Sequence, residues 1–156
     1  MFKNVYTTRD YVKVEERRYN KYTLNGKHFW NGGDIAEILY KDCLGYAPLK
    51  DFNTDYNNGS DVAETGESVK TFRFSLTKAV IGYDFESTMK AYVENVASDW
   101  HTFIVLEGNT LTAYKMTLDE FIEFMSAFGY YEKSTHKVRI KNLVHHKIID
   151  WLENRL

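Results

Sequence analysis

One cysteine, one proline and no long apolar run mark this chain. A lone Cys43 excludes an internal disulfide and a cysteine-based zinc site, and it fits a reducing compartment. Nothing approaches eighteen consecutive apolar residues, so no membrane-spanning helix is expected. Met1-Phe-Lys-Asn is not followed by an apolar stretch, so no secretory leader is expected and the cytoplasm is the default location. Gly32-Gly33 lacks the further glycines of a dinucleotide or P-loop site, and neither Cys43 nor any serine carries a local nucleophile signature. His145 and His146 are adjacent on an expected helix and diverge by about 100°, so they cannot chelate one ion together; of the positions one turn on, only Asp150 could help. There is no internal repeat, low-complexity tract or linker.

What is present points to one folded domain. The 156 residues are 44% hydrophobic and 16% aromatic, which suits a packed core burying about two-thirds of the unfolded surface and argues against disorder. The net charge of −2 argues against a nonspecific nucleic-acid coat, but its distribution is uneven. Residues 1–30 hold seven Lys/Arg and three Asp/Glu, residues 31–66 two and seven, residues 67–129 five and nine, and residues 130–156 six and three. Basic ends around an acidic middle suit phosphate contacts beside a metal-binding carboxylate cluster. Arg17, Arg18 and Lys21 near one end, and Lys137, Arg139 and Lys141 near the other, are the expected nucleic-acid contacts. Tyr19, Tyr22 and Trp30 lie where they could stack on bases.

In chain order, Tyr11-Val-Lys-Val-Glu alternates like a strand, and Asn25-Gly26 marks a two-residue hairpin between Lys21-Tyr-Thr-Leu and Lys27-His-Phe-Trp. A helix is expected from Ile35 to about Leu44, with Asp34 as N-cap and Glu37 completing a capping box. Residues 49–60 are turn-formers and read as a loop. A second helix is expected from about Phe85 to Ala97, then a buried strand from His101 to Glu107. Gly108-Asn109 turns into a partner strand at Leu111–Met116. Thr117 and Glu120 open a third helix through another capping box, closed by Gly129. A basic strand from about Lys137 to Asn142 precedes a final amphipathic helix.

The most informative stretch is Gly59-Ser-Asp-Val-Ala-Glu-Thr-Gly-Glu-Ser-Val-Lys-Thr-Phe-Arg-Phe-Ser-Leu76. It reads as a short strand carrying Asp61, a turn at Thr65-Gly66, and a longer strand from about Glu67 to Leu76. This hairpin, with a helix before it and a helix and strand after it, resembles the active-site region of the PD-(D/E)XK nuclease superfamily. The resemblance implies an α/β (α+β) fold with a mixed sheet: a restriction-endonuclease-like αββαβ core over about residues 33–116. Residues 1–32 would be an added N-terminal β element or arm, and 117–156 a basic helical extension, within a single domain 1–156. It also implies Asp61 as a metal ligand, Lys70 as the motif lysine, and the Val69 carbonyl as a further ligand.

One departure from the pattern concerns the acid two residues before the lysine, which here is Ser68. Glu67 stands three before Lys70 and in a regular strand would point to the opposite face. A bulge could bring Glu67 back, Glu64 could reach in from the turn, or Ser68 could act with fewer carboxylates; Glu67 is favoured as catalytic residue and ligand. Glu37 is a further ligand or, alternatively, only the capping-box acid. Together these residues imply a Mg²⁺-dependent DNA endonuclease, with Mn²⁺ as a substitute, acting as a homodimer. The alternative is a protein of the same fold whose site has decayed at Ser68 and which serves as a DNA-binding or protein-inhibiting accessory factor.

Overall fold

The computed structural model describes residues 1–15, 20–30, 32–46, 61–72, 82–83, 98–132, 137–140 and 145–156. Its centre is a mixed four-stranded sheet in the order β1-β8-β7-β5. The strands are β1 (Phe2–Thr7), β5 (Glu67–Phe72), β7 (Trp100–Glu107) and β8 (Thr110–Met116). Strand β5 runs parallel to β7, whereas β7 with β8 and β8 with β1 are antiparallel. Two three-stranded antiparallel sheets make up the rest of the β structure among the described residues. One consists of β2 (Val12–Glu15), β3 (Asn20–Leu24) and β4 (Lys27–Phe29). In the other, β10 (Lys137–Ile140) lies between β6 (Gly82–Tyr83) and β9 (Gly129–Glu132). Three helices are described: α1 (Gly32–Cys43), α2 (Leu118–Phe128) and α3 (His145–Glu153).

Strand alternation gives the central sheet two apolar faces, each with its own core. On one face Val69, Ile104, Leu111 and Ala113 pack with Ile35, Ile38 and Leu39 of α1. On the other, Phe103, Val105, Tyr114 and Met116 pack with Phe121, Phe124 and Met125 of α2 and Ile148 and Leu152 of α3. The C-terminal helix therefore shares the main core. The N-terminus does too in part, since β1 pairs with β8 along its whole length and Tyr6 packs against the α1-side core.

Local chemistry explains the turns. Asn25 and Gly26 both adopt positive φ, at 50° and 84°, which matches a two-residue turn to the twist of its flanking strands. Gly108, with φ 59°, joins β7 to β8 in the same economical way. The Thr117–Glu120 capping box forms: Glu120 N–H donates to Thr117 Oγ1 at 3.2 Å, and Thr117 N–H donates to Glu120 Oε1 at 3.1 Å. The α1 start differs from expectation. The helix begins at Gly32, so Asp34 lies inside its first turn, where an acid suits the helix dipole. Asp34 is therefore not the N-cap, and Glu37 is turned inward, 7% exposed. The expected second helix at Phe85–Ala97 lies outside the described residues.

Candidate metal and phosphate site

The hairpin around Asp61 is tighter than two strands. Val62 forms a single bridge with Glu67, exchanging N–H···O bonds of 3.0 and 3.1 Å. Gly66 closes the turn with φ 70°, and a Cβ there would come within 2.7 Å of Asp99 Oδ2. This turn lies along the outer edge of β5 and places the Asp61 carboxylate against that strand. Val69 N–H donates to Asp61 Oδ2 at 2.7 Å. In a strand, the N–H and C=O of one residue point to the same side, so the Val69 carbonyl opens on the edge that carries Asp61.

Helix α1 brings further charge to the same edge. Glu37 and Lys41 are one helical turn apart and so lie on one side of α1. They are only 7% and 6% exposed, and Asp61 is 8% exposed. Burial pushes the Glu37 carboxyl up to about 8, and the nearby Asp61 charge adds to the shift while Lys41 and Lys70 oppose it. Burial also raises Asp61, against the Val69 N–H bond and the charges of Lys70 and Lys41. Glu37 and Asp61 thus each feel Lys41 and Lys70, and Glu37 also feels Asp61. Glu37 Oε1 is buried without a hydrogen-bond partner.

Glu67 lies elsewhere. The β5–β7 register is regular from Glu67 to Phe72, with no bulge, so Glu67 and Lys70 stay on opposite faces. Glu67 is 1% exposed. Its Oε2 accepts from Tyr40 O–H at 2.6 Å and from Thr102 Oγ1–H, and Lys115 Nζ stands 3.5 Å from Oε1. These contacts commit Glu67 to fastening β5, β7, β8 and α1. Glu64 is exposed on the turn, whereas Ser68 and Lys70 are half-buried and share the face opposite Glu67. Of the expected nucleic-acid contacts, Lys21 lies on β3 with its ammonium 5.8 Å from the exposed Trp30 ring. Lys137 and Arg139 lie on β10, with their side chains outside the description. Arg17, Arg18 and Lys141 lie outside the described residues.

Two residues near the site escaped sequence reasoning. Lys41 carried a signal, its four-residue spacing from Glu37. His101 carried none, because its neighbours come from other elements. It pairs across the sheet with Ser68, is 4% exposed, and stacks on Phe121 with ring centres 4.7 Å apart. Neither ring nitrogen has a hydrogen-bond partner. Burial, with a contribution from Lys70, pushes its imidazole down to about 4, so it is neutral near pH 7.

Among the described residues, no three His, Cys, Asp or Glu side chains group as a metal cluster. The available donors at the β5 edge are two carboxylates and one backbone carbonyl. That set fits a hard divalent ion keeping several waters, as Mg²⁺ does. The orphaned Glu37 oxygen, buried beside a second acid, is an acceptor such an ion would satisfy. No protein-family profile, curated protein or solved structure matches this chain.

Proposed function

We propose that the chain is a metal-dependent DNA endonuclease of PD-(D/E)XK type, with Glu37, Asp61 and the Val69 carbonyl holding Mg²⁺ and Lys70, on the face of β5 turned away from α1, within electrostatic reach of both acids. One observation carries this reading: a buried carboxylate pinned by the backbone of the lysine-bearing strand, with a second buried carboxylate and that lysine in electrostatic reach. Mixed α/β architecture with a parallel β5–β7 pair is compatible with it. When bound, a divalent ion supplies Lewis acidity toward the phosphoryl oxygen and a water acidic enough to attack at neutral pH.

The chain's own groups have separate tasks. The Val69 N–H fixes one Asp61 oxygen, so the carboxylate is oriented before any ligand arrives. Glu37 holds a proton near neutral pH while the site lacks a cation. The Lys70 ammonium orients the attacking water and offsets charge developing on the phosphate. A phosphodiester brings its own negative charge to acids that already feel the charges of Lys41 and Lys70, which favours its approach over that of a neutral substrate.

The placement of Glu67 favours a second reading. With Ser68 at the usual acid position and Glu67 committed to Tyr40 and Thr102, the site has one carboxylate fewer than the motif implies. A decayed-site accessory factor, binding DNA or another protein without turnover, would have that appearance. The test is nicking of supercoiled DNA with Mg²⁺ or Mn²⁺, stopped by EDTA. Lys70→Ala should cut at least ~100-fold more slowly, the scale of one preorganised electrostatic group. Asp61→Asn should lose metal binding and cleavage together while still binding DNA. Wild-type protein inert with every divalent ion, and matched by both variants in binding, would decide for the second reading.

A further inference from the structure

The small sheet β2-β3-β4 has two unlike faces. Alternation along its strands turns Tyr22, Leu24 and Phe29 to one side, where they pack in the same core as Ile38 and Leu39 of α1. On the other side Val12 stands across from Thr23, Val14 from Lys21, and Thr23 from His28. Trp30 follows one step beyond Phe29, with the Lys21 ammonium 5.8 Å from its ring centre. This outer face is open: Trp30 is 55% exposed, and Val12, Val14 and His28 are exposed with it. Apolar side chains gathered on one exposed face mark an interaction site.

The charge of the face says what it fits. Among the described residues of this sheet the only carboxylate is that of Glu15, which alternates onto the opposite side with Lys13, 3.9 Å from its ammonium. Residues 12–30 hold five Lys/Arg against two Glu. A flat aromatic ring beside a cation, on a face without a carboxylate, is complementary to a nucleobase and its phosphate. The base must be unpaired, because a paired one keeps its faces inside the duplex stack. We infer that the outer face of β2-β3-β4 binds single-stranded nucleic acid, with one base stacked on Trp30, its phosphate beside Lys21, and Val12 and Val14 against the neighbouring nucleotide. Tyr22, turned into the core, takes no part. The inference is independent of the carboxylates at the β5 edge, since it needs neither an ion nor turnover. It gives the nuclease and the accessory factor alike a means of holding an unpaired strand.

The test is fluorescence anisotropy with labelled oligothymidylate in EDTA, across salt concentrations. Trp30→Ala should weaken binding about tenfold or more, the scale of one base stacked on an aromatic ring, while Trp30→Phe stays within a few-fold. Lys21→Met should make the salt slope shallower by about 0.7, one single-strand phosphate contact. Binding should quench tryptophan emission in wild type, and the quenching should vanish in Trp30→Phe although Trp100 and Trp151 remain. That second readout keeps the test decisive should the alanine variant fail to fold. Equal affinity in wild type and a folded Trp30→Ala, or full quenching in Trp30→Phe, would overturn the inference. So would a wild type that binds no oligothymidylate; self-association that Trp30→Ala abolishes would then make the face a protein contact. Each of these failures leaves the nicking assay untouched, because that assay reads the Asp61 edge.

Discussion

Glu37→Gln is the most telling single change, because its effect on stability has a predictable sign and size. In the unfolded chain Glu37 titrates near its ordinary value of 4.5, whereas burial and Asp61 raise it to about 8 in the fold. A raised carboxyl favours the folded state while protonated, so its contribution is fully present below pH 4.5 and is lost as pH rises through about 8. At about 1.4 kcal/mol per pH unit, the difference grows to roughly 5 kcal/mol by pH 8. Gln resembles the protonated acid in shape and cannot ionise. The variant should therefore match wild type near pH 5 and exceed it by several kcal/mol at pH 8. Urea denaturation across this range, at fixed ionic strength and with an unchanged m value, reads the difference directly. A divalent ion held by Glu37 and Asp61 should restore about half of the wild type's alkaline loss, by about 2.7 kcal/mol at one hundred times its Kd, and do little for the variant. Parallel pH–stability curves for the two proteins would refute the assignment of a buried, cation-seeking Glu37.

His101 should govern the opposite limb. Its folded pKa of about 4 lies below its ordinary 6.5, so the stability it supports is present above pH 6.5 and lost as pH falls toward 4. The loss totals about 3 kcal/mol; His101→Leu should flatten this acid limb in the same denaturation series, and an unchanged limb would count against the buried neutral imidazole. Glu67→Gln separates fastening from chemistry: it should lower stability by about 2–4 kcal/mol, since it weakens three buried polar contacts, while leaving cleavage per folded molecule within a few-fold. A ~100-fold loss of cleavage with loss of metal, in a variant that still folds, would return Glu67 to the active site.

What was legible in the sequence was what adjacent residues decide among themselves. Asn25-Gly26, Gly108-Asn109 and Thr117–Glu120 each carry their geometry within four residues, and each forms as expected. The start of α1 was misplaced because Gly32 and Gly33 are poor helix formers, yet they form the first turn that receives Asp34. The pairing of β1 with β8 joins positions more than a hundred residues apart, and Phe2-Lys-Asn-Val-Tyr-Thr looks unlike a core strand because it is the exposed edge of the sheet. His101 was invisible for the same reason, since Ser68 and Phe121 reach it only through the fold.

Glu67 shows how a short motif can mislead without the alternation rule being wrong. Spacing alone put Glu67 and Lys70 on opposite faces, and only an assumed bulge could reunite them. No bulge forms, because Glu67 already has a full set of partners on its own face: Tyr40, Thr102 and Lys115. Turning it outward would leave two hydroxyl groups and a lysine to find other partners, at a cost of about 1–3 kcal/mol for each buried donor left unsatisfied. The acid available to chemistry at this edge is therefore the one with an unsatisfied oxygen, Glu37, and it comes from a helix instead of the motif strand. A carboxylate's surplus of lone pairs, more than its place in a motif, marks it as a candidate ligand; by that criterion α1 supplies the second acid.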